Sequence, residues 1–155
     1  MDGGSWESRY VILLWLGVIA LVPFNLDIID SGVIRLAGED GHEATEIVDV
    51  MVEIGKFYLH SLTKMREAAA LFLAKLFTRP DIQRQGVLPL YLDFVLTRLQ
   101  KVGNDPRDNF FVCGLYESLC DIFKLVQRSE LLPLIPRVLD QLERERAAKS
   151  NSARK

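Results

Sequence analysis

A chain of 155 residues is long enough to bury a sizeable core, about two-thirds of its unfolded surface, and short enough to be one structural unit. Hydrophobic content of 49% beside 26% charged residues excludes the disordered class, which combines low hydrophobicity with high charge. A net charge of -2, from 19 basic and 21 acidic side chains, gives no electrostatic argument for nucleic acid or an anionic membrane as partner.

The first element is RYVILLWLGVIALVPF at 9–24, fifteen uncharged residues behind one arginine. A spanning helix needs about 20 apolar residues, and this run stops at Asn25 and Asp27. A secretion signal needs a basic leader and a small-residue cleavage site, whereas Asp2, Glu7 and Arg9 precede the run and LVPFNLD follows it. The remaining reading is a helix over 6–22, apolar all round and buried in the protein, with Trp15 in the packed interior.

Residues 24–45 form a long connection. Between Arg35 and Lys56 stand Glu39, Asp40, Glu43, Glu46, Asp49 and Glu53 with no lysine or arginine among them. The last three share a helix face. Such a stretch is either a solvated surface or an acidic contact patch for a basic partner, which would steer encounter and fade with salt. Long connections are often functional, so residues 31–43 are a candidate contact with a partner.

Helical periodicity then runs almost without break, and no segment alternates as a strand does. Ile47, Val50, Met51, Ile54 and Tyr58 predict an amphipathic helix over 46–60. The alanine-rich stretch 64–79 favours helix and stops where Pro80 restricts Arg79. A helix stop accounts for Thr78-Arg79-Pro80-Asp81 without an active-site turn. Leu88, Leu92, Val95, Leu96 and Leu99 predict a helix over 87–102. VGNDPRDN at 102–109 reads as a turn, with Asp108 capping the next helix. That helix, 109–128, carries the stripe Val112, Leu115, Leu119, Ile122, Phe123 and Val126. Cys113 and Cys120 lie on one of its faces, too far apart for a disulfide, and read as two reduced core thiols of the kind found in cytosolic proteins. Ile135, Val138, Leu139 and Leu142 mark a last helix over 131–147, before a polar tail at 149–155.

An internal repeat underlies these elements. AALF at 69–72 and CGLY at 113–116 are 44 residues apart, and so are VLPLY at 87–91 and LLPLI at 131–135. A period of 41 to 44 lies in the range of HEAT and armadillo repeats. The expected fold is all-α, an α-solenoid of three hairpins within a single segment 1–148. These pair 6–22 with 46–60 (hairpin 6–60), 64–79 with 87–102 (hairpin 64–102) and 109–128 with 131–147 (hairpin 109–147).

Two stretches also carry a family resemblance. WESRYVILLWLGVIALVPFNL at 6–26 resembles a signature of the tubulin-folding cofactor D family, in which a Trp, an Arg-Tyr pair, a Leu-Leu-Trp-Leu run and a Pro-Phe follow in this order. REAAALFLAKLFTRPDI at 66–82 is similar to the family's alanine-rich helix ending in Thr-Arg-Pro-Asp, and YLDFVLTRLQ at 91–100 fits its general layout. Gly17 stands where the family pattern has Ser, and Asn25 where it has Asp. The resemblance implies a piece of the N-terminal side of a large HEAT and armadillo solenoid. Such a solenoid takes β-tubulin after chaperonin release, joins it to α-tubulin with cofactor E, and answers to cofactor C and an Arf-like small GTPase. It implies a cytoplasmic, cytoskeleton-associated chaperone and no catalytic residue. The matched positions Trp6, Arg9, Tyr10, Trp15, Pro23, Phe24, Arg79, Pro80 and Asp81 are expected to serve packing and helix alignment. A general scaffold or transport adaptor on similar repeats is the competing reading.

No P-loop, GxGxxG or HExxH pattern occurs, and His42 and His60 have no cysteine near them, so neither a metal site nor a small-molecule cofactor is expected. A solenoid piece is also expected to carry apolar patches on helix 6–22 or on the last hairpin, and to self-associate through them.

Overall fold

The computed structural model describes residues 5–23, 26, 47–101 and 106–152, the side chains at 106, 107, 145 and 148–152 excepted. All eight elements among them are helices: α1 (Trp6–Ile19), α2 (Ile47–Tyr58), α3 (Lys64–Phe77), α4 (Pro80–Gln85), α5 (Val87–Gln100), α6 (Pro106–Leu125), α7 (Arg128–Leu131) and α8 (Ile135–Ser152).

Helix α3 is the axis of the arrangement. It packs against α1 on one side and α6 on the other, with α2 also laid against it, while α5 meets α6 and α8. The sequence explains why α3 takes this place. Its three consecutive alanines, Ala68, Ala69 and Ala70, let neighbours approach, and Phe72, Leu73, Leu76 and Phe77 fill the space so created; all are buried. Each of the four large side chains contributes about 1.5–3 kcal/mol by leaving water. Thr63 starts the helix, its hydroxyl oxygen accepting the Met65 amide at 3.3 Å. Pro80 then opens α4 at its first position, where no amide hydrogen is needed. Gly86, with φ of 70°, turns the chain from α4 into α5 through the left-handed region open to glycine.

Two glycines set how closely elements approach. A Cβ on Gly55 of α2 would lie 2.5 Å from the Leu73 side chain, and one on Gly114 of α6 would lie 2.4 Å from the carbonyl oxygen of Leu59. At Gly114 the obstacle is backbone, so α6 can sit against the end of α2 only without a side chain there.

Several expectations need correction. Helix α1 is not buried all round: Leu13, Gly17 and Ala20 face α3, while Trp15 is 67% exposed and Val11, Ile12, Val18 and Ile19 share its open side. Its apolar sequence gave no direction, and α3 covers one stripe of it. Cys113 and Cys120 are free but exposed, because α6 turns Gly114, Leu115, Ser118 and Ile122 inward and the cysteines sit on the opposite face. In α2 the buried set is Val48, Met51, Val52 and Gly55, and Val50 points outward. Helix α6 begins at Pro106, so Asp108 lies in its first turn instead of capping it. The last long helix starts at Ile135 after the single turn α7, and it runs through Ser152.

Candidate partner surface and the Arg79 clamp

The most concentrated polar chemistry among the described residues is the Arg79–Asp81 pair, 7% and 6% exposed. Arg79 lies between α3 and α4 with extended backbone, which aims its side chain back across the end of α1. Its Nη1 donates to the carbonyl oxygens of Ala20 (3.0 Å) and Val22 (2.8 Å). Its Nε and Nη2 donate to the two carboxylate oxygens of Asp81, at 3.0 and 2.7 Å. Asp81 in turn accepts the amides of Leu26 and Ile82, each at 3.1 Å.

The last turn of α1 contains no basic residue, so the cation that complements its carbonyl end comes from Arg79, across the fold. Burial alone would push the Asp81 carboxyl up; the Arg79 bonds and the two amides outweigh it and hold the carboxyl below its usual range. The planar guanidinium suits this task because it bonds a carboxylate bidentately and still has donors for carbonyls. A cleft of about 440 Å³ opens beside the pair, lined by Val22, Pro23, Thr78 and Arg84. The arrangement is a clamp that joins the chain at the end of α1 to the corner between α3 and α4.

Four further polar contacts tie elements together. Arg66 of α3 donates from Nε and Nη2 to both carboxylate oxygens of Glu117 on α6, at 2.8 and 2.9 Å. That bonding, with the charge of Glu117, raises the Arg66 pKa against the opposing effect of burial. The Tyr91 hydroxyl of α5 donates to Ser118 Oγ at 2.8 Å, and the Ser118 hydroxyl donates in turn to the Leu115 carbonyl oxygen at 2.8 Å. Burial pushes the phenol well above its ordinary value. Between α5 and α8, Gln100 Nε2 donates to Gln141 Oε1 at 3.0 Å and Arg137 pairs with Asp93.

Among the acidic candidates, Asp49 and Glu53 are exposed on α2, and Glu53 already pairs with Lys56 at 2.7 Å. Lys56 also sits 4.5 Å over the Phe94 ring of α5. Glu39, Asp40, Glu43 and Glu46 lie outside the described residues, as does Phe24. Of the other matched positions, Trp6, Arg9, Pro23 and Pro80 are exposed and Tyr10 is half-buried. Reading Arg-Pro-Asp as a helix stop captured Pro80 but missed what its neighbours bond, because Ala20 and Val22 are 59 and 57 residues from Arg79. Arg66–Glu117 and Tyr91–Ser118 likewise left no local signal, their members being 51 and 27 residues apart.

Among the described residues no three His, Cys, Asp or Glu side chains gather as a metal site would require, and no helix is long and apolar enough to cross a membrane. A family profile described as tubulin-specific chaperone D-like, ARM repeat, matches residues 1–102. The chain is 27% identical over 148 residues to the tubulin-specific chaperone D of Dictyostelium discoideum. That alignment covers 84% of this chain and 10% of the relative, so the chain spans about a tenth of that relative's length. No solved structure matches it.

Proposed function

Since the chain belongs to the tubulin-specific chaperone D-like ARM repeat family, we propose that it is a non-catalytic repeat segment of a tubulin-folding cofactor. In this reading it binds β-tubulin and assists assembly and disassembly of the αβ-tubulin heterodimer. The observation that carries the reading is the family match over residues 1–102, which takes in both α1 and the Arg79 clamp. The packing of α3 against both α1 and α6 supports a surface that works by shape; in this reading the repeat units are the hairpins 6–60, 64–102 and 109–147.

On this reading the setting is the cytoplasm, with cofactor E, cofactor C and an Arf-like small GTPase as the other participants. The acidic surface of α2, Asp49 and Glu53, together with Glu39, Asp40, Glu43 and Glu46 before it in sequence, is where a basic patch of tubulin would engage. Attraction of that kind fades as salt screens it.

The test is a pull-down of purified β-tubulin on the chain at low and raised salt, with circular dichroism to verify the helical fold. Binding is expected at low salt, weaker at high salt, and about tenfold weaker for the pair Asp49→Lys and Glu53→Lys. Absence of tubulin binding by the folded chain would favour a general scaffold or transport adaptor. Binding unaffected by salt and by both substitutions would move the contact away from α2.

A further inference from the structure

Between α5 and α8 the surface opens into a polar cleft of about 240 Å³, lined by Asp93, Thr97 and Gln100 on one side and by Arg137, Gln141 and Arg144 on the other. Each α8 residue of this set stands 44 residues after its α5 counterpart, the offset of the internal repeat. The cleft is therefore made by corresponding faces of two helices of the repeat, and not by a chance gap between loops. A second cleft of about 410 Å³ adjoins it on α5, sharing Asp93 and Thr97 and adding Phe94, Arg98 and Lys101. Together they run across the width of α5.

The charge of this surface is opposite to that of the chain. Four cations line the two clefts, Arg98, Lys101, Arg137 and Arg144, against two carboxylates, Asp93 and Asp140, in a chain whose net charge is -2. Asp93 is already paired with Arg137. No ion pair among the described residues engages Arg98, Lys101 or Arg144, and all three are exposed. Arg98 is steadied over the Phe94 ring, 5.5 Å from its centre, which leaves the edge of the guanidinium for a carboxylate. Between the cations lie groups that suit a main chain. Gln100 gives one amide hydrogen to Gln141, and its carbonyl oxygen and second hydrogen remain for a backbone amide and carbonyl, with the exposed Thr97 hydroxyl one turn away. We infer that the double cleft binds an extended acidic peptide segment of a partner, its carboxylates on Arg98, Lys101 and Arg144 and its backbone on Gln100 and Thr97. A small anion would meet one or two of the cations and leave the amide and the hydroxyl idle, whereas a chain uses both kinds of group along the two clefts. This surface is separate from the acidic one on α2, and the inference holds whatever meets α2.

The experiment is fluorescence anisotropy of a fluorescein-labelled hexaglutamate peptide with the full chain at low salt, circular dichroism verifying the fold of each variant. Saturable binding is expected, and it should weaken as salt rises. Lys101→Gln together with Arg144→Gln should weaken it about tenfold, and Thr97→Val, which keeps the side chain's shape and removes its hydroxyl, about threefold. All three positions are exposed, so the helices that carry them keep their packing. Lys64→Gln removes an exposed cation of α3 outside both clefts and should leave binding unchanged. Absence of saturable binding by the folded chain overturns the inference. So does an equal loss from Lys64→Gln, or equally tight binding of hexathymidylate, since either is the behaviour of anions drawn to basic side chains in general and not of a seat for a peptide.

Discussion

Replacing Arg79 by methionine keeps most of the side chain's bulk but removes every donor of the clamp. Asp81 would then be buried without a counter-charge, and the carbonyls of Ala20 and Val22 would lose their bonds. Breaking one half of a buried pair costs about 3–5 kcal/mol, and urea denaturation should show a loss of that size. The same pair makes stability depend on pH. Asp81 titrates lower in the folded chain than in the unfolded one, so its contribution is complete above the unfolded value and drains away as pH falls through the folded one. Asp81→Asn should therefore shrink the gap between unfolding midpoints measured near neutrality and in strong acid. Sequence carried half of this site. The Thr-Arg-Pro-Asp wording marked where α3 stops, and Pro80 stands where the reading placed a break, but a carbonyl just past α1 has no signature of its own.

Helix contacts are set by which side chains are missing as much as by which are present. A methyl group on Gly114 would drive into the Leu59 carbonyl, an atom held by the end of α2, so Gly114→Ala should cost about 1–3 kcal/mol by overpacking. Because Gly114 and Arg66 meet at the same α3–α6 seam, the seam also has a polar fastening. A double-mutant cycle on Arg66→Ala and Glu117→Ala should return a coupling of about 1 kcal/mol, modest because Glu117 is about a third exposed. Helices α3 and α5 were legible because neighbours pack on their apolar stripes: Leu88, Leu92, Val95, Leu96 and Leu99 are all buried. Helices α1 and α8 were less so. Where a helix is apolar on every side, hydropathy says that neighbours exist and nothing about where they stand, which is why Trp15 was misplaced. In α8, Leu139 and Leu142 belong to a stripe of the right spacing that is left uncovered.

The row α1, α3, α6 makes the molecule cooperative through its middle member. Both tryptophans, Trp6 and Trp15, lie on α1, so tryptophan fluorescence reports that helix while circular dichroism reports all of them. Phe72 is buried in the helix that supports both neighbours, so Phe72→Ala should cost about 3–5 kcal/mol and move both signals to the same lower midpoint. An early loss of fluorescence would show α1 melting on its own. The all-helical class was readable because it rests on periodicity within the chain. The stacking surfaces were not, since they depend on which layer meets another. The clamp also sets an order of events when the chain is made. A helix of 14 residues is marginal alone, and the group that secures the end of α1 is encoded 59 residues after Ala20. At about 5–20 residues per second, synthesis leaves α1 waiting roughly 3–12 seconds for Arg79, with its apolar side chains bare. Slower translation between Ala20 and Arg79 would lengthen that interval.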